Sequence, residues 1–427
     1  MHILHIASGD FFSTYGGGQI YVHNICKQQA SYLGIKISVL SFVEKKHIPP
    51  PTYFGCTIYE ESDFSEDYLY SVIEHIKPDI IHAHSHKAQI CRIGKSLAIP
   101  IIVTAHHGGI VCPAGTLLNI KDEICQTTVC HENCLKCCLR NIRSGLNRFP
   151  LMNRIPRELY IQIGKWLDKL PFIPFITPIA GVALSIKKKQ EEWQTIGNDC
   201  TLMIAPSVAI KKAMVRNGLN EEKIQIIPHG IPLPKNIAPF PSTKKGIKFF
   251  YVGRICYVKG LHILLEAFHE TNNNRIELHI IGGAANKGEK RYENLLKKKY
   301  QNDSRIIWHG KIQPEHIFDT INNFHISSSS SYLEAFGLNI AESLALGRPV
   351  LSTLNGGAQM QIADGINGWL VPSNNIKAMK AKIEEIVSLS GIQLKKMSAA
   401  STAISIDQHC NQLISIYKDI LNHRTKA

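Results

Sequence analysis

The sequence predicts an α/β protein made of two open, mostly parallel sheets in tandem, and three observations carry that expectation. The 427 residues exceed what one ordinary core holds, since domains run to about 100–200 residues. Strand-like and helix-like segments alternate in two separate runs, a pattern that calls for parallel strands with helical crossovers. Between the runs, Ile231–Gly246 holds Pro232, Pro234, Pro239 and Pro241 with no apolar period, the composition of an unpaired linker.

The first run opens with apolar His2–Ala7, a Gly-rich break, a helix over Gln19–Leu33 and β-branched Ile35–Phe42. It continues with a helix over Glu66–Ile76, a strand over Ile80–His84, a helix through Ala88–Leu97 and a strand over Ile101–His106. From Gly108 to about Pro178 the pattern is irregular and reads as a long insertion. A helix near Leu184–Gln194, a strand at Leu202–Ala205, a Ser207-capped helix to about Asn217 and a strand at Ile224–Ile227 complete the first domain. The second run has strands at Lys248–Val252, Glu277–Ile281, Arg305–Trp308, Phe324–Ser327 and Pro349–Ser352. Its helices fall near Gly260–His269, Glu289–Tyr300, Glu315–Asn322, Leu338–Leu346 and Asn375–Leu389. The expected divisions are residues 1–230 with the insertion at about 108–180, a linker at 231–246, a second domain at 247–404 and a closing helix at 405–427. Open parallel sheets bind ligands beyond the carboxyl ends of their strands, so the cleft between two such domains is the expected site.

Composition narrows the class. With 44% hydrophobic and 19% charged residues, 30 Gly and 20 Pro, the chain is neither disordered, collagenous nor a coiled coil. No stretch reaches the roughly 18–20 apolar residues of a membrane span, and MHILHIASGD lacks the basic and apolar regions of a signal peptide, so a cytoplasmic protein is expected. The net charge of +14 is concentrated. Between Lys136 and Arg216, 14 basic residues face five acidic ones, a surplus of nine. Nucleic acid, an anionic membrane surface, a phosphorylated substrate or a plain solvated face all satisfy that surplus, but no nucleic-acid motif accompanies it.

The chemistry concentrates in three loops. In Ser327–Pro349, Glu334 lies just before a helix expected to start near Gly337, and Glu342 lies within it. Free amides and the dipole at such a helix end suit an anion, Gly337 lets the backbone approach a ligand, and Glu334 can accept hydrogen bonds from neutral hydroxyls. At the end of the first strand of the second domain, Gly253, Arg254, Lys259 and Gly260 place two permanent cations together, able to hold a diphosphate in place of a metal ion. No Asp-x-Asp triplet offers a carboxylate-held metal. The loop Asp10–Gln19 carries Gly16-Gly17-Gly18 before a helix but matches neither the dinucleotide fingerprint nor the P-loop; a lid and a phosphate nest both remain open.

His82, His84, His106 and His107 gather at strand ends, as site residues or as hydrogen-bonded termini. Cys112, Cys125, Cys130, Cys134, Cys137 and Cys138 put six of the 12 cysteines within 27 residues. A structural zinc site, buried free thiols and a redox role are all open for that segment.

Gly253-Arg254…Lys259-Gly260, Glu334-x7-Glu342 and Pro228-His229-Gly230 together resemble the retaining glycosyltransferases of family four, with the GT-B fold of two Rossmann-like domains facing across a cleft and a C-terminal helix crossing back to the first. The resemblance covers essentially the whole chain and includes Pro78–His84, Thr104–Gly108, Ala205-Pro206-Ser207, Asn355-Gly356-Gly357 and Asp364-Gly365-x-Asn367-Gly368. Departures are His229 where the family more often has Asn, Gln19 where it often has Glu, and the Cys-rich stretch.

The resemblance implies that Arg254 and Lys259 hold and stabilise the diphosphate of a nucleotide-sugar donor without a metal or other cofactor. It implies that Glu342 binds ribose hydroxyls, that Glu334 binds sugar hydroxyls, and that amides around Phe336, Gly337 and Leu338 bind phosphate and sugar. Gly17, Gly18 and Gly253 would allow close approach of the donor, and His106 would face the transferred sugar or the acceptor. A leaving-phosphate oxygen would take the acceptor proton on the same face, with retention. The acceptor expected is a glycan or lipid-linked molecule in cell-surface polysaccharide or glycoconjugate synthesis, with the basic insertion and uncharged Leu170–Ile186 either at the inner membrane face or in the core. The competing readings are a sugar-nucleotide epimerase of the same fold, a nucleotide-sugar-binding protein without turnover, and a nucleic-acid binder.

Overall fold

The computed structural model of the chain describes all residues except 8, 13–15, 45–51, 141–155, 168, 170–177 and 425–427. It divides into two compact units, one of Met1–His106, Lys188–Pro232 and Ile404–Ala427, the other of His107–Lys187 and Leu233–Ala403.

In the first unit the strands are β1 (His2–Ile6), β2 (Lys36–Phe42), β3 (Thr52–Tyr53), β4 (Cys56–Glu61), β5 (Ile80–Ala83), β6 (Ile101–Thr104), β7 (Leu202–Ala205) and β8 (Ile224–Ile226). Their order is β3-β4-β2-β1-β5-β6-β7-β8, parallel throughout except where β3 turns back on β4. The runs IIHA, IIVT and LMIA of β5, β6 and β7 are buried at every position, as expected of strands covered on both faces. The strand order reverses between β1 and β5, where His5 stands opposite His82. The closing helix Ile406–Arg424 contributes Ile406, Cys410, Leu413, Ile414 and Tyr417 to the same core as Ile3, Tyr21 and Val39.

The second unit holds β9 (Ile247–Val252), β10 (Ile276–Ile281), β11 (Ile306–Gly310), β12 (Ile326–Ser329), β13 (Val350–Thr353) and β14 (Gly368–Val371), ordered β11-β10-β9-β12-β13-β14 and all parallel. Its reversal falls between β9 and β12. Phe249, Tyr251, Leu264, Phe268, Leu278, Ile280 and Ile326 form the core of this unit.

The structure refines several expectations. It adds β3, β4, β14 and the helix Gly391–Ala399, whose capping box at Ser390 and Gln393 was not recognised in the sequence. Ser207 occupies the N-cap position of the helix Val208–Arg216, but its hydroxyl is buried with no hydrogen-bond partner among the described residues, so the expected cap is not made. The insertion, assigned from sequence to the first domain, is grouped up to Lys187 with the second unit. There Tyr257 donates to Asp122 at 2.8 Å, and Leu118 packs with Ile263 and Tyr332.

Candidate active site

The site in the second unit is built at its strand reversal, from the loops that follow β9 and β12. After β9 the chain turns through Gly253–Gly260 and enters the helix Leu261–His269. Gly260 sits at φ +61°, and a Cβ there would lie 2.0 Å from the carbonyl oxygen of Ser330. Only glycine therefore lets this turn press against the loop that follows β12. The Tyr332 amide donates to the Val258 carbonyl at 3.0 Å and the Ser330 hydroxyl to the Lys259 carbonyl at 3.3 Å, fixing the two loops to each other.

That seam delivers Lys259 to Glu334. The ammonium donates to Oε1 at 2.6 Å, and Ser331 Oγ donates to the same oxygen at 2.6 Å. Glu334 is 7% exposed, so the carboxylate is neutralised and hydrogen-bonded where solvent hardly reaches. Lys259 and Glu334, assigned separate ligands from sequence, thus form one pair here. The loop is secured from the other side as well. Thr353 Oγ1 donates to the Ser331 carbonyl at 2.6 Å, Asn355 Nδ2 reaches the same oxygen at 3.3 Å, and the Gly357 amide donates to the Glu334 carbonyl at 2.9 Å.

Gly337, at φ +89°, is the N-cap of the helix Leu338–Ala345. The leading amides of any helix lack an acceptor within it, so the backbone at Gly337 and Leu338 presents donors beside the Lys259–Glu334 pair, with Phe336 one residue back. Glu342 is the fifth residue of this helix, past the first turn; its carboxyl feels less of the dipole than the sequence suggested. Among the described residues it has no ion pair, and burial pushes its pKa up to about 7. Arg254 is exposed, with Nε 3.6 Å from Oε1 of buried Glu289.

In the first unit, Gly17 and Gly18 are the opening residues of the helix Gly17–Gln29, with Gly16 as N-cap, and so lie within the helix they were expected to precede. A Cβ at Gly18 would meet the His106 ring at 3.5 Å. His106, just past β6, joins His84 at 3.0 Å, and His84 joins His5 at 3.1 Å. His229 is buried and its ring centroid lies 4.0 Å from that of Tyr21.

Ser331, Glu289, His5 and Gln29 carry no motif in the sequence, and Asn355 stands out only as part of Asn355-Gly356-Gly357. Ser331 is hidden among five consecutive serines, and the others act through contacts more than 20 residues away in the chain, for which a single sequence carries no signal.

The cysteines of the insertion are free thiols. Burial raises Cys134, Cys137 and Cys138, with Cys137 at about 12. A zinc ion holds its sulfurs at about 2.3 Å, and among the described residues no three of these sulfurs gather within 4.8 Å of one another; His5, His82 and His84 do. Of the basic surplus, Arg143, Arg148 and Arg154 lie outside the described residues. Lys165, Lys189 and Lys211 are within 4 Å of Glu132, Glu192 and Glu221. Residues 170–177 are likewise outside the description, while Val182, Ala183 and Ile186 are buried against Leu135 and Tyr160. Among the described residues no helix is long and apolar enough to cross a membrane.

Two open parallel sheets, with polar loops at each reversal, define a chain of the GT-B fold. Residues 234–403 match the family described as Glycosyl transferases group 1. A D-inositol 3-phosphate glycosyltransferase of Xylanimonas cellulosilytica is 23% identical over 48% of this chain and 54% of its own length. The O-antigen chain mannosyltransferase C of Escherichia coli is 25% identical over 44% and 51%. The chain thus spans about half the length of the curated relatives it matches. Among solved structures, Anabaena HepE in complex with UDP and glucose is similar over 97% of this chain and 99% of its own, with a TM-score of 0.64 and 14% identity, a likeness of fold.

Proposed function

We propose that this protein transfers a sugar from a nucleoside diphosphate to a glycan or lipid-linked acceptor with retention of anomeric configuration, in the synthesis of a cell-surface polysaccharide or glycoconjugate. The observation that carries the reading is the Lys259–Glu334 pair beside the Gly337 helix end, at the strand reversal of a group 1 domain. In this reading the diphosphate draws the ammonium of Lys259 toward itself and frees Glu334 to accept hydrogen bonds from the sugar. Arg254 closes on the same phosphates, Glu342 takes the ribose hydroxyls, and the amides about Phe336, Gly337 and Leu338 meet the β-phosphate.

Fixed cations and amides that match the charge developing on the leaving diphosphate are the main catalytic contribution, and no metal is required. The acceptor proton passes to a leaving-phosphate oxygen on the same face. Gly17, Gly18 and Gly253 admit the donor, and His106 meets the transferred sugar or the acceptor. The mannosyltransferase and HepE comparisons support a nucleotide-sugar donor and a glycan product. The protein works in the cytoplasm, at the inner membrane face where lipid-linked acceptors lie.

Calorimetric titration with UDP-, GDP- and ADP-sugars in EDTA tests the reading. Binding of one donor family, lost in Lys259→Ala, is expected; absence of binding to every donor contradicts it.

A further inference from the structure

Four side chains of the first unit form an unbroken line from the helix Gly17–Gln29 to the end of β6. Gln29 Oε1 lies 2.8 Å from His5 Nε2, His5 Nδ1 lies 3.1 Å from His84 Nε2, and His84 Nδ1 lies 3.0 Å from His106 Nε2. Gln29 and His5 are 0% exposed and His84 is 2% exposed, so water does not interrupt the first links.

A neutral imidazole has one N–H and one lone pair, so each link dictates the next. The Gln29 oxygen can only accept; His5 must therefore carry its proton on Nε2 and offer Nδ1 as an acceptor. His84 must then donate from Nε2 and accept at Nδ1, and His106 must donate from Nε2. Burial favours the neutral ring at both His5 and His84, since desolvation depresses their pKa values, to about 4 for His5. A proton shared along the line would break this order, and the dry surroundings oppose it.

We infer that this imidazole line is a positioning device that locks His106 in the Nε2–H tautomer, leaving Nδ1 as its one acceptor, and that Gln29 sets the direction from three hydrogen bonds away. Resting on the transferase reading, this fixes what the His106 ring offers the site: its Nδ1, buried in this structure, is an acceptor and not a donor. Gln29, His5 and His84 touch no substrate and act through His106. The same interior is tied to the closing helix, because His82 lies 2.6 Å from the Tyr417 hydroxyl and 2.7 Å from Thr104, and Tyr21 lies 2.8 Å from His409.

The test is long-range 1H–15N correlation spectroscopy on the full chain labelled with 15N-histidine, with the His106 signals assigned by their loss in His106→Asn. The wild-type protein is expected to show His5, His84 and His106 as single Nε2–H tautomers at neutral pH. Gln29→Leu removes the terminal acceptor and should turn His106 into a mixture of both tautomers. Gln29→Glu supplies an acceptor again and should restore the single tautomer.

An Nδ1–H tautomer of His106 in the wild-type protein, or an unchanged Nε2–H tautomer in folded Gln29→Leu, overturns the proposal. The wild-type spectrum decides even if Gln29→Leu does not fold. Because the spectra need no turnover, the expected tautomers in a protein that binds no nucleotide sugar would leave the line intact and remove only the transferase reading.

Discussion

Lys259 and Glu334 come from loops 75 residues apart in the chain, yet the ammonium lies 2.6 Å from a carboxylate oxygen that also accepts from Ser331. Because Glu334 is almost wholly buried, the pair is asymmetric: loss of Lys259 strands a charge, whereas loss of both partners does not. Lys259→Met is therefore expected to cost about 1–3 kcal/mol, less than for a fully buried pair because Lys259 is partly exposed. Lys259→Met with Glu334→Leu should cost less than the two single changes together. Urea unfolding of the four proteins of this cycle checks it; strict additivity would contradict the coupling.

Gly260 and Gly310 separate two effects of glycine. Both have positive φ, +61° and +77°, but an added Cβ would strike the Ser330 carbonyl at Gly260 and meet nothing within 4 Å at Gly310. Gly310→Ala should cost about 1 kcal/mol for its conformation alone. Gly260→Ala should cost clearly more, because the Lys259 turn must retreat from the β12 loop, and it should weaken donor binding along with stability. Equal melting temperatures for the two variants would contradict the close approach.

On the proposed reading, Glu342 should give donor binding a pH dependence. Its folded-state carboxyl, raised by burial to about 7, holds a proton that a carboxyl in the unfolded chain releases near 4.5. It thus favours the fold below about 4.5, and that contribution is lost as pH rises through 7. A carboxylate accepts from both ribose hydroxyls and a carboxylic acid from fewer, so donor affinity should rise between pH 6 and pH 8. Glu342→Gln should flatten that rise. Calorimetry across this range measures it, and a wild-type affinity independent of pH would count against the assigned role.

The buried histidines act in the opposite direction. His5 and His409 are lowered to about 4 by burial, and His82, His84 and His229 are lowered too, chiefly by burial and further by one another, with Lys87 adding to the effect on His82 and His84. The unfolded chain takes up protons near 6.5 that the folded unit refuses, so stability is complete above about 6.5 and falls as pH drops toward 4. His5 alone accounts for roughly 3 kcal/mol across that window. Thermal melts at pH 7.5 and pH 5 should show a large loss that His5→Gln diminishes; a melting temperature constant over this range would refute it.

How far the sequence revealed the molecule follows from what each element depends on. Buried strands such as Ile101–Thr104 and Leu202–Ala205 announce themselves as short apolar runs between breakers. β4, Cys56–Glu61, ends on two glutamates, and β14, Gly368–Val371, opens on a glycine directly behind a turn that carries Asp364, Gly365 and Asn367, so neither has the pattern of a covered strand. In the site, Arg254, Lys259, Glu334 and Glu342 stood out because cations and carboxylates at strand ends have chemistry of their own. The pairing of Lys259 with Glu334 did not, because it depends on Gly260 pressing against Ser330. Gln29 and His5 read as ordinary core positions of a helix and a strand, and only the parallel pairing of β1 with β5 sets His5 beside His82 and His84.

The most direct test of the proposed transferase site is release of nucleoside diphosphate from UDP-, GDP- and ADP-sugars in the presence of EDTA and a mixture of lipid-linked and free glycan acceptors, with Lys259→Ala/Glu334→Ala as the control. The expected result is release from one donor family, undiminished by EDTA and abolished in the control. Release that EDTA abolishes, or that the control retains in full, would contradict a metal-independent transferase site built on Lys259 and Glu334.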